Sequence, residues 1–195
     1  MDRMLVLWRH GQTAWNAEGR FLGHSDVPLD DVGEAQVERA ARALAELRPE
    51  VVVTSDLGRA VASASALCRV SGGVPRLDKD LRERYGGRLE GLRGEEIDGL
   101  LASEGKDLED FGVEPDADLA ERVAASAERA LEEVRDGGTA VVVSHGAAIR
   151  LGMARLLCLP PASWPRIASP GNGNWSVLAE DGSAWRLARH DVGAP

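Results

Sequence analysis

Three short apolar runs along the chain predict strands that are buried on both faces of a sheet. They cover residues 4–8, 51–54 and 139–144, and each consists mainly of consecutive aliphatic residues rather than alternating apolar and polar positions. Uninterrupted runs of this kind are typical of parallel strands that are covered by helices on both sides. We therefore expect a parallel sheet at the centre of the fold.

Segments with helical spacing of apolar residues lie between and after these strands. In residues 31–47, Val37, Ala41 and Leu44 recur every three or four positions, and Asp30 directly before them is a candidate N-cap. Comparable helical patterns cover residues 57–70, 117–135 and 146–157. The alternation predicts the α/β class, as a three-layer sandwich in which helices flank a mostly parallel central sheet.

The remaining segments complete what we expect to be a single domain over residues 1–195. Residues 174–179 and 184–190, separated by a Glu-Asp-Gly turn, predict a hairpin that adds an antiparallel edge strand near the C-terminus. Residues 85–115 are rich in Gly and Glu and show helical spacing only around 95–101. We interpret them as an insertion over the candidate site.

Length and charge narrow the classes of function. The chain has 195 residues, with 23 Lys and Arg against 32 Asp and Glu, and a formal net charge of −9 at pH 7. This acidity argues against a nucleic-acid partner, and the lack of any run of roughly 18 to 20 apolar residues argues against a membrane span.

The N-terminal apolar run is too short for a secretion signal, and Cys68 and Cys158 are candidate core residues in apolar stretches. We therefore expect a cytoplasmic protein.

Positively charged and imidazole side chains follow each predicted strand. Arg9 and His10 follow the first, Arg59 comes shortly after the second, and His145 follows the third. Because parallel sheets bind ligands at the carboxyl ends of their strands, these four residues are expected in one crevice. The glycine after each histidine would let the backbone turn sharply. One arginine guanidinium can donate two parallel hydrogen bonds to two phosphate oxygens. Each residue alone is better explained as structural or surface, but together they predict a phosphate site.

Five stretches resemble the phosphoglycerate mutase-like branch of the histidine phosphatase superfamily. The first runs from Leu5 through Arg9-His10-Gly11 to Asn16, and the set occurs in the family's order up to residue 150. The other four are Pro28-Leu29-Asp30-Asp31-Val32-Gly33, Ser55-Asp56-Leu57-Gly58-Arg59-Ala60, Leu81-Arg82-Glu83 with Gly86 and Leu89-Glu90-Gly91, and Val143-Ser144-His145-Gly146 with Ile149-Arg150.

The resemblance implies a phosphatase that forms a phosphohistidine. His10 would be the nucleophile, and Glu83 would be the general acid for the leaving alkoxide and then the general base for water. The residues implied to bind the phosphoryl group are Arg9, Asn16, Arg59 and His145. We expect no cofactor. We expect no metal either, since no Cys or carboxylate lies at ligand spacing from His10 or His145 and the arginines would repel a cation.

A phosphatase and a mutase differ in the group that accepts the phosphoryl from His10, which is water in the first and a substrate hydroxyl in the second. Mutases of this branch carry a longer insertion between the acidic segment and the second histidine motif, so the short segment here favours water and hydrolysis of a small phosphomonoester. Phosphoglycerate mutase-type transfer is the alternative. A non-catalytic phosphate-binding module is disfavoured because the four residues that such a module tends to lose are all present, His10, Arg59, Glu83 and His145.

The substrate is a weaker inference from the same resemblance. Residues 159–175 resemble the corresponding part of actinobacterial glucosyl-3-phosphoglycerate phosphatases, or a packing motif that many short members share. Leu22 stands where the family often has Gln, and residues 116–119 depart from a Gly-Gly-Glu-Ser-like stretch, which leaves a less polar substrate open. The expected partner is a small phosphorylated substrate, and a homodimer is compatible with the resemblance.

Overall fold

The computed structural model describes residues 2–182 and 184–194, and a six-stranded sheet forms its centre. The strands are β1 (Met4–Arg9), β2 (Val51–Thr54), β3 (Arg76–Leu77), β4 (Thr139–Ser144), β5 (Trp175–Asp181) and β6 (Ala184–Val192). They lie in the order β3-β2-β4-β1-β5-β6. The first four in this order are parallel, whereas β5 is antiparallel to both β1 and β6. The predicted parallel sheet and its antiparallel C-terminal edge are confirmed.

Helices cover both faces of this sheet. They are α1 (Ala14–Ala17), α2 (Asp31–Ala45), α3 (Gly58–Ser71), α4 (Gly94–Glu104), α5 (Asp116–Glu132) and α6 (Gly146–Leu156). Alternate residues of β1 face opposite layers, so that Leu5 and Leu7 join the apolar cluster of α5 and α6. Val6 and Trp8 join the cluster of α2 and α3 on the other face. All six residues of β4 are buried, as expected for a strand between two helical layers.

Local sequence explains where the helices begin and end. The Asp30 carboxylate accepts a hydrogen bond of 2.8 Å from the Gly33 N–H group, which makes Asp30 the predicted N-cap of α2. The predicted helix over 31–47 ends earlier, at Ala45, since the N–H groups of Leu47 and Arg48 bond to carbonyls three residues back instead of four. Arg48 then adopts a left-handed conformation with a φ of 49°. The sequence does not predict the short strand β3 or the 3₁₀ turn Lys79–Leu81, since elements of two or three residues are too short to show a periodic pattern.

Residues 85–115 form a small unit with its own apolar contacts. The helical spacing around 95–101 lies within α4, which is flanked by the 3₁₀ turns Gly87–Leu89 and Glu109–Phe111. Leu89, Phe111 and Val113 are buried together there. The interpretation of this segment as an insertion within a single domain stays a prediction.

One expectation about the cysteines is wrong. Cys68 is buried in α3, but Cys158 is exposed, because α6 ends at Leu156 and the chain turns at Cys158 with a φ of 52°. Both thiols are free. Among the residues that the structure describes, no helix is long and apolar enough to cross a membrane.

Candidate active site

His10 and His145 lie side by side because the strands that precede them are neighbours. Arg9 at the end of β1 is in parallel register with Ser144 at the end of β4. The imidazole rings that follow have centroids 5.0 Å apart and planes inclined at 61°. Both side chains are buried, with 2% and 0% of their surface exposed. The prediction that the strand ends bring the two histidines together is therefore correct.

The glycines after the two histidines allow close packing rather than a sharp turn. Neither has a positive φ. A Cβ at Gly11 would collide with the carbonyl group of Gly33, at the start of α2. A Cβ at Gly146 would come within 3.2 Å of Arg9 Cζ. A larger residue at either position would displace the His10 loop or the Arg9 guanidinium.

The surroundings of His10 hold its imidazole neutral and orient it. Nδ1 lies 2.6 Å from the carbonyl oxygen of Gly11, which can only accept, so Nδ1 carries the proton. The Nε2 lone pair is then available to attack an electrophile. Burial lowers the pKa of His10 well below 6.5, and the positive charges of Arg59 and Arg9 lower it further. The His10 imidazole is thus neutral at neutral pH, with its proton on Nδ1.

His145 is also held neutral but has a different hydrogen-bond partner. Its Nε2 lies 2.9 Å from the Ser55 hydroxyl oxygen, just after β2. Burial lowers the pKa of His145 well below 6.5, and the charges of Arg59, His10 and Arg9 act in the same direction. Its buried Nδ1 has no partner among residues 2–182 and 184–194, which leaves it for a ligand.

Two arginines, Arg59 buried and Arg9 partly buried, bring positive charge to the histidines, and neither forms a salt bridge with a carboxylate among the described residues. Arg9 Nη1 donates to the carbonyl of Pro170 at 2.8 Å, and Arg59 donates to the carbonyls of Ser25 and Gly23 at 2.7 and 2.9 Å. Burial lowers the pKa of both guanidinium groups. Both Nε atoms are buried without a partner in the described part of the chain. Unpaired buried charge is costly, so the arrangement suits a dianion such as phosphate.

Glu90 holds the loop whose carbonyls orient Arg59. Its carboxylate accepts hydrogen bonds from the backbone N–H groups of His24, Ser25 and Gly86 at 2.8, 2.9 and 3.0 Å, and from the Ser25 hydroxyl at 2.6 Å. The Ser25 carbonyl is one of the two that Arg59 binds. The sequence motif included Glu90, but only the structure gives it this positioning role.

Asn16 is oriented by the loop after β1 and by a residue that the sequence did not single out. Its Oδ1 accepts hydrogen bonds from the Thr13 N–H group and hydroxyl, at 3.1 and 3.0 Å, and from Asn172 Nδ2 at 3.1 Å. With Oδ1 occupied in this way, Asn16 Nδ2 is the group left to donate to a ligand. Asn172 Nδ2 also donates to the carbonyl oxygen of His10 at 3.3 Å, so the loop that precedes β5 contacts the site.

Glu83 lies at the N-terminus of α6. Its Oε1 accepts from the N–H groups of Ala148 and Arg84 at 3.0 and 2.8 Å, and its Oε2 accepts from Ala147 at 3.1 Å. These three hydrogen bonds fix the carboxyl group in the cavity that His10, Arg9 and Arg59 also line.

Arg122 on α5 fixes the backbone of the Glu83 segment. Its guanidinium donates to the carbonyls of Asp80, Arg82 and Glu83, at 2.6, 2.7 and 3.0 Å. It also forms a two-pronged pair with Glu114, with both distances 2.7 Å. No sequence signal distinguished Arg122 from other charged residues on an amphipathic helix.

A cavity of about 290 Å³ joins these groups. It is lined by Arg9, His10, Asn16, Arg20, Phe21, Leu22, Arg59, Glu83, Arg84, Gly146, Ala147, Arg150 and Ser169. Five of the six predicted site residues line it, and the sixth, His145, lies next to His10 with ring centroids 5.0 Å apart. Leu22 contributes an apolar side chain, as its identity indicates. A larger groove of about 530 Å³ lies between α2 and α3, but its lining contains no histidine and one arginine, so the smaller cavity is the candidate site.

A metal centre finds no support in the described residues. Within 2–182 and 184–194, no group of three or more His, Cys, Asp or Glu side chains is arranged to hold an ion.

The fold and the site together define an enzyme of phosphoryl transfer. At the strand ends of an α/β sheet they combine a neutral histidine, a glutamate side chain and two arginines that form no salt bridge within the described residues. Residues 5–192 match the sequence profile of the histidine phosphatase superfamily (branch 1), and the chain belongs to this superfamily. The predicted family and the predicted enzyme class, a phosphatase, are confirmed.

Named relatives agree with this assignment. A glucosyl-3-phosphoglycerate phosphatase from Mycolicibacterium vanbaalenii is 35% identical over 91% of this chain and 84% of its own. Phosphoglycerate mutase-like protein 4 from Arabidopsis thaliana is 34% identical over 75% of this chain and 67% of its own. The solved structure of a mycobacterial glucosyl-3-phosphoglycerate phosphatase with VO3 has a TM-score of 0.89 at 32% identity, covering 98% of this chain and 100% of that one.

Proposed function

We propose that this protein hydrolyses a small phosphomonoester in two steps, with His10 as the nucleophile. The observation that carries the proposal is the orientation of His10, whose Nδ1 proton is bound to the Gly11 carbonyl. In the first step, Nε2 attacks phosphorus and forms a P–N bond as the ester P–O bond breaks. Glu83 donates its proton to the leaving oxygen, which departs as an alcohol.

In the second step, water attacks phosphorus and the P–N bond breaks. Glu83, now a carboxylate, takes a proton from the water, and His10 Nε2 recovers its lone pair. The products are inorganic phosphate and the enzyme in its starting state. Division into two displacements lets one carboxyl group serve first as acid and then as base, because it lies on the face where the alcohol leaves and water enters.

The phosphoryl oxygens would be held by groups that have unused donors. Arg9 and Arg59 have buried Nε atoms without partners, and His145 has a buried Nδ1 without one among the described residues. Asn16 adds its Nδ2 group. Such preorganised donors stabilise the charge that the transferring phosphoryl carries, and they need no rearrangement when the substrate arrives.

Glucosyl-3-phosphoglycerate is the substrate that we propose to test first. Its support is the name of the relatives, since solved structures of a mycobacterial protein with that name share the fold over almost the whole chain. Mutase-type transfer is the second candidate, since a mutase-like relative matches over most of this chain. We favour hydrolysis because the segment between Glu83 and His145 is short.

A panel of phosphomonoesters tests the proposal. Purified protein is incubated with p-nitrophenyl phosphate, phosphoserine, 3-phosphoglycerate and glucosyl-3-phosphoglycerate without added metal, and phosphate release is measured. We expect release, with the highest kcat/KM for glucosyl-3-phosphoglycerate. Isomerisation of 3-phosphoglycerate without phosphate release would favour the mutase, and no reaction with any compound would overturn the proposal.

Two further expectations are part of this proposal. We propose a cytoplasmic location, in line with one buried and one exposed free thiol and no disulfide among the described residues. We also propose that a homodimer forms, which sedimentation at micromolar concentration would test.

A further inference from the structure

The loop that precedes β5 contacts two of the residues proposed to bind the phosphoryl group. It covers residues 168–174, and we call it the 168–174 loop. Arg9 donates to the carbonyl of Pro170 in this loop at 2.8 Å. Asn172 Nδ2, also in the loop, donates to Asn16 Oδ1 at 3.1 Å. The position of the loop therefore affects the position of both phosphate-binding side chains.

The end of β6 holds the same loop through two consecutive side chains. The Asp191 oxygen Oδ1 accepts from the Gly171 N–H group at 2.7 Å and from Asn174 Nδ2 at 2.8 Å. A hydrogen bond of 3.1 Å joins His190 Nε2 to the carbonyl of Ala168. The loop is thus held at its start, its middle and its end by one strand.

One peptide group connects Asp191 with Arg9. Arg9 donates to the carbonyl of Pro170. The N–H group of the same peptide unit, which is that of Gly171, donates to Asp191. The peptide unit is planar, so its two polar groups cannot reorient independently, and a carboxylate on the N–H group strengthens the carbonyl as an acceptor. The orientation of the Arg9 guanidinium therefore depends on Asp191.

The backbone of β6 is distorted at Asp191. Its φ is 53°, in the left-handed region that few residues other than Gly, Asn and Asp adopt. Its pairing with β5 is irregular at the same place, with an extra residue between Arg189 and Val192. Such distortions persist where surrounding contacts hold them, and they are concentrated near functional sites. Here the distorted residue is the one whose carboxylate binds the 168–174 loop.

Asp191 and Arg9 also act on each other through their charges. Hydrogen bonds from Asn174 and Gly171 lower the pKa of Asp191, and the positive charge of Arg9 lowers it further. Burial lowers the pKa of Arg9, whereas the charges of Glu83 and Asp191 raise it. Asp191 thus favours the charged form of Arg9 without occupying its guanidinium in a salt bridge.

We propose that Asp191 is a positioning residue for phosphoryl binding and orients Arg9 through the Pro170–Gly171 peptide. The inference rests on the proposed hydrolysis, in which Arg9 binds the transferring phosphoryl group. It adds a residue that is not part of the lining of the cavity. Because Arg9 binds phosphate as well as the reacting phosphoryl group, loss of its orientation weakens both interactions.

Asp191→Gly tests this role, because glycine adopts the left-handed backbone without strain. We expect kcat/KM for p-nitrophenyl phosphate to fall by about 10- to 100-fold, as a small displacement of a binding group predicts. Inorganic phosphate, titrated calorimetrically, should bind about tenfold more weakly. The urea midpoint should change little, since relief of backbone strain offsets the two lost hydrogen bonds. Wild-type kcat/KM and phosphate affinity in this variant would overturn the proposal.

Asp191→Asn should restore most of what Asp191→Gly loses. Asparagine tolerates the left-handed conformation, and its Oδ1 can accept both hydrogen bonds. We therefore expect kcat/KM and phosphate affinity close to the wild-type values. Losses as large as those of Asp191→Gly would contradict positioning through these hydrogen bonds.

A double-mutant cycle tests whether Asp191 acts through Arg9. Arg9→Lys keeps the charge but lacks the planar fork that can bind the Pro170 carbonyl and phosphate together. In this background, the factor by which Asp191→Gly lowers kcat/KM should be smaller by about threefold or more. The same factor in both backgrounds would contradict a route through Arg9.

Arg48→Gly is the matched control for the change in backbone strain. Arg48 has a similar φ of 49°, but it is exposed and lies before β2, whereas the site lies after the strands. We expect kcat/KM and phosphate affinity at wild-type values in this variant. A loss as large as that of Asp191→Gly would contradict a role for the contact between Asp191 and the loop.

Phosphate affinity separates failure of this proposal from failure of the proposed function. If the wild-type protein hydrolyses p-nitrophenyl phosphate and Asp191→Gly matches it in rate and phosphate affinity, the positioning role alone is wrong. If the wild-type protein hydrolyses no phosphomonoester but binds phosphate more tightly than Asp191→Gly does, the hydrolysis alone is wrong. If it neither hydrolyses a phosphomonoester nor binds phosphate, both proposals are wrong.

Discussion

The imidazole of His10 is held by its neighbours in the protonation state that a nucleophile requires. The Gly11 carbonyl fixes the proton on Nδ1, and burial together with two guanidinium charges keeps the second nitrogen unprotonated. The same two guanidinium charges that we propose to bind phosphate therefore also lower the pKa of the histidine.

At this scale the sequence identifies which residues meet but not how they are oriented. His10, Arg59 and His145 could be selected because strand ends of parallel sheets converge. Their orientation depends on backbone carbonyls from distant loops, such as that of Pro170, and no sequence pattern encodes those contacts. Arg84 was one charge in an Arg-Glu-Arg run, which is more often a solvated surface than a cavity wall.

Glu83→Gln should affect poor leaving groups far more than good ones. An alkoxide needs a proton to depart, whereas p-nitrophenolate does not, so the rate for alkyl phosphates should fall by about 10²- to 10⁴-fold and that for p-nitrophenyl phosphate by much less. Steady-state kcat for glycerol 3-phosphate and p-nitrophenyl phosphate measures both effects. Equal losses would argue against a role as general acid.

Two elements control where Glu83 lies. The N-terminus of α6 supplies two of the N–H groups that bind its carboxyl group. Helix α5 supplies Arg122, which binds the carbonyls of Asp80, Arg82 and Glu83. The sequence predicts both helices, because their apolar spacing is regular. It does not predict β3 or the contact between α5 and the Glu83 segment, since that contact joins polar groups far apart in the chain.

Arg122→Lys should impair proton transfer as well as stability. A lysine keeps the charge but cannot reach several carbonyls and both Glu114 oxygens at once. We expect the free energy of unfolding to fall by about 1–3 kcal/mol. We also expect kcat to fall more for glycerol 3-phosphate than for p-nitrophenyl phosphate, with KM little changed.

The difference between the two substrates separates positioning from a general loss of structure. A variant that is merely less stable would lose activity towards both equally. Arg129→Lys, on the same helix but paired with Asp78 and Asp80, is the matched control and should show no such difference.

The whole molecule is acidic, yet its site is basic. The formal net charge is −9, whereas five arginines line the cavity. Composition thus describes the outer surface and gives no information about the crevice, because buried charges are few and the surface dominates the sum. The net charge argues against a nucleic-acid partner but does not argue against a small anion as the ligand.

The two buried histidines should make the protein less stable as the pH falls. Their pKa values are lowered in the folded state from 6.5, so the unfolded chain binds more protons below that pH. Above about pH 6.5 the two histidines have little effect on the free energy of unfolding. Below that pH the free energy of unfolding falls progressively, by about 2–3 kcal/mol between pH 7.5 and 5.5.

Urea unfolding at pH 7.5, 6.5 and 5.5 measures this dependence. His10→Asn removes one of the two groups and should reduce the loss by about half. The pKa of His24 is also lowered in the folded state, so His24 adds to the loss of stability. The carboxylates titrate mainly below about pH 5.5. A free energy of unfolding that is the same at pH 7.5 and 5.5 would contradict the buried, neutral state of the histidine pair.

Detection of a phosphohistidine tests the central claim most directly. The protein is mixed with a reactive phosphomonoester, quenched in base within one turnover, digested and examined by mass spectrometry, with His10→Ala as the control. We predict one phosphoryl group on His10 that is stable in base and lost in acid, and none in the variant. A phosphoryl group on another residue, or undiminished turnover by His10→Ala, would contradict the account.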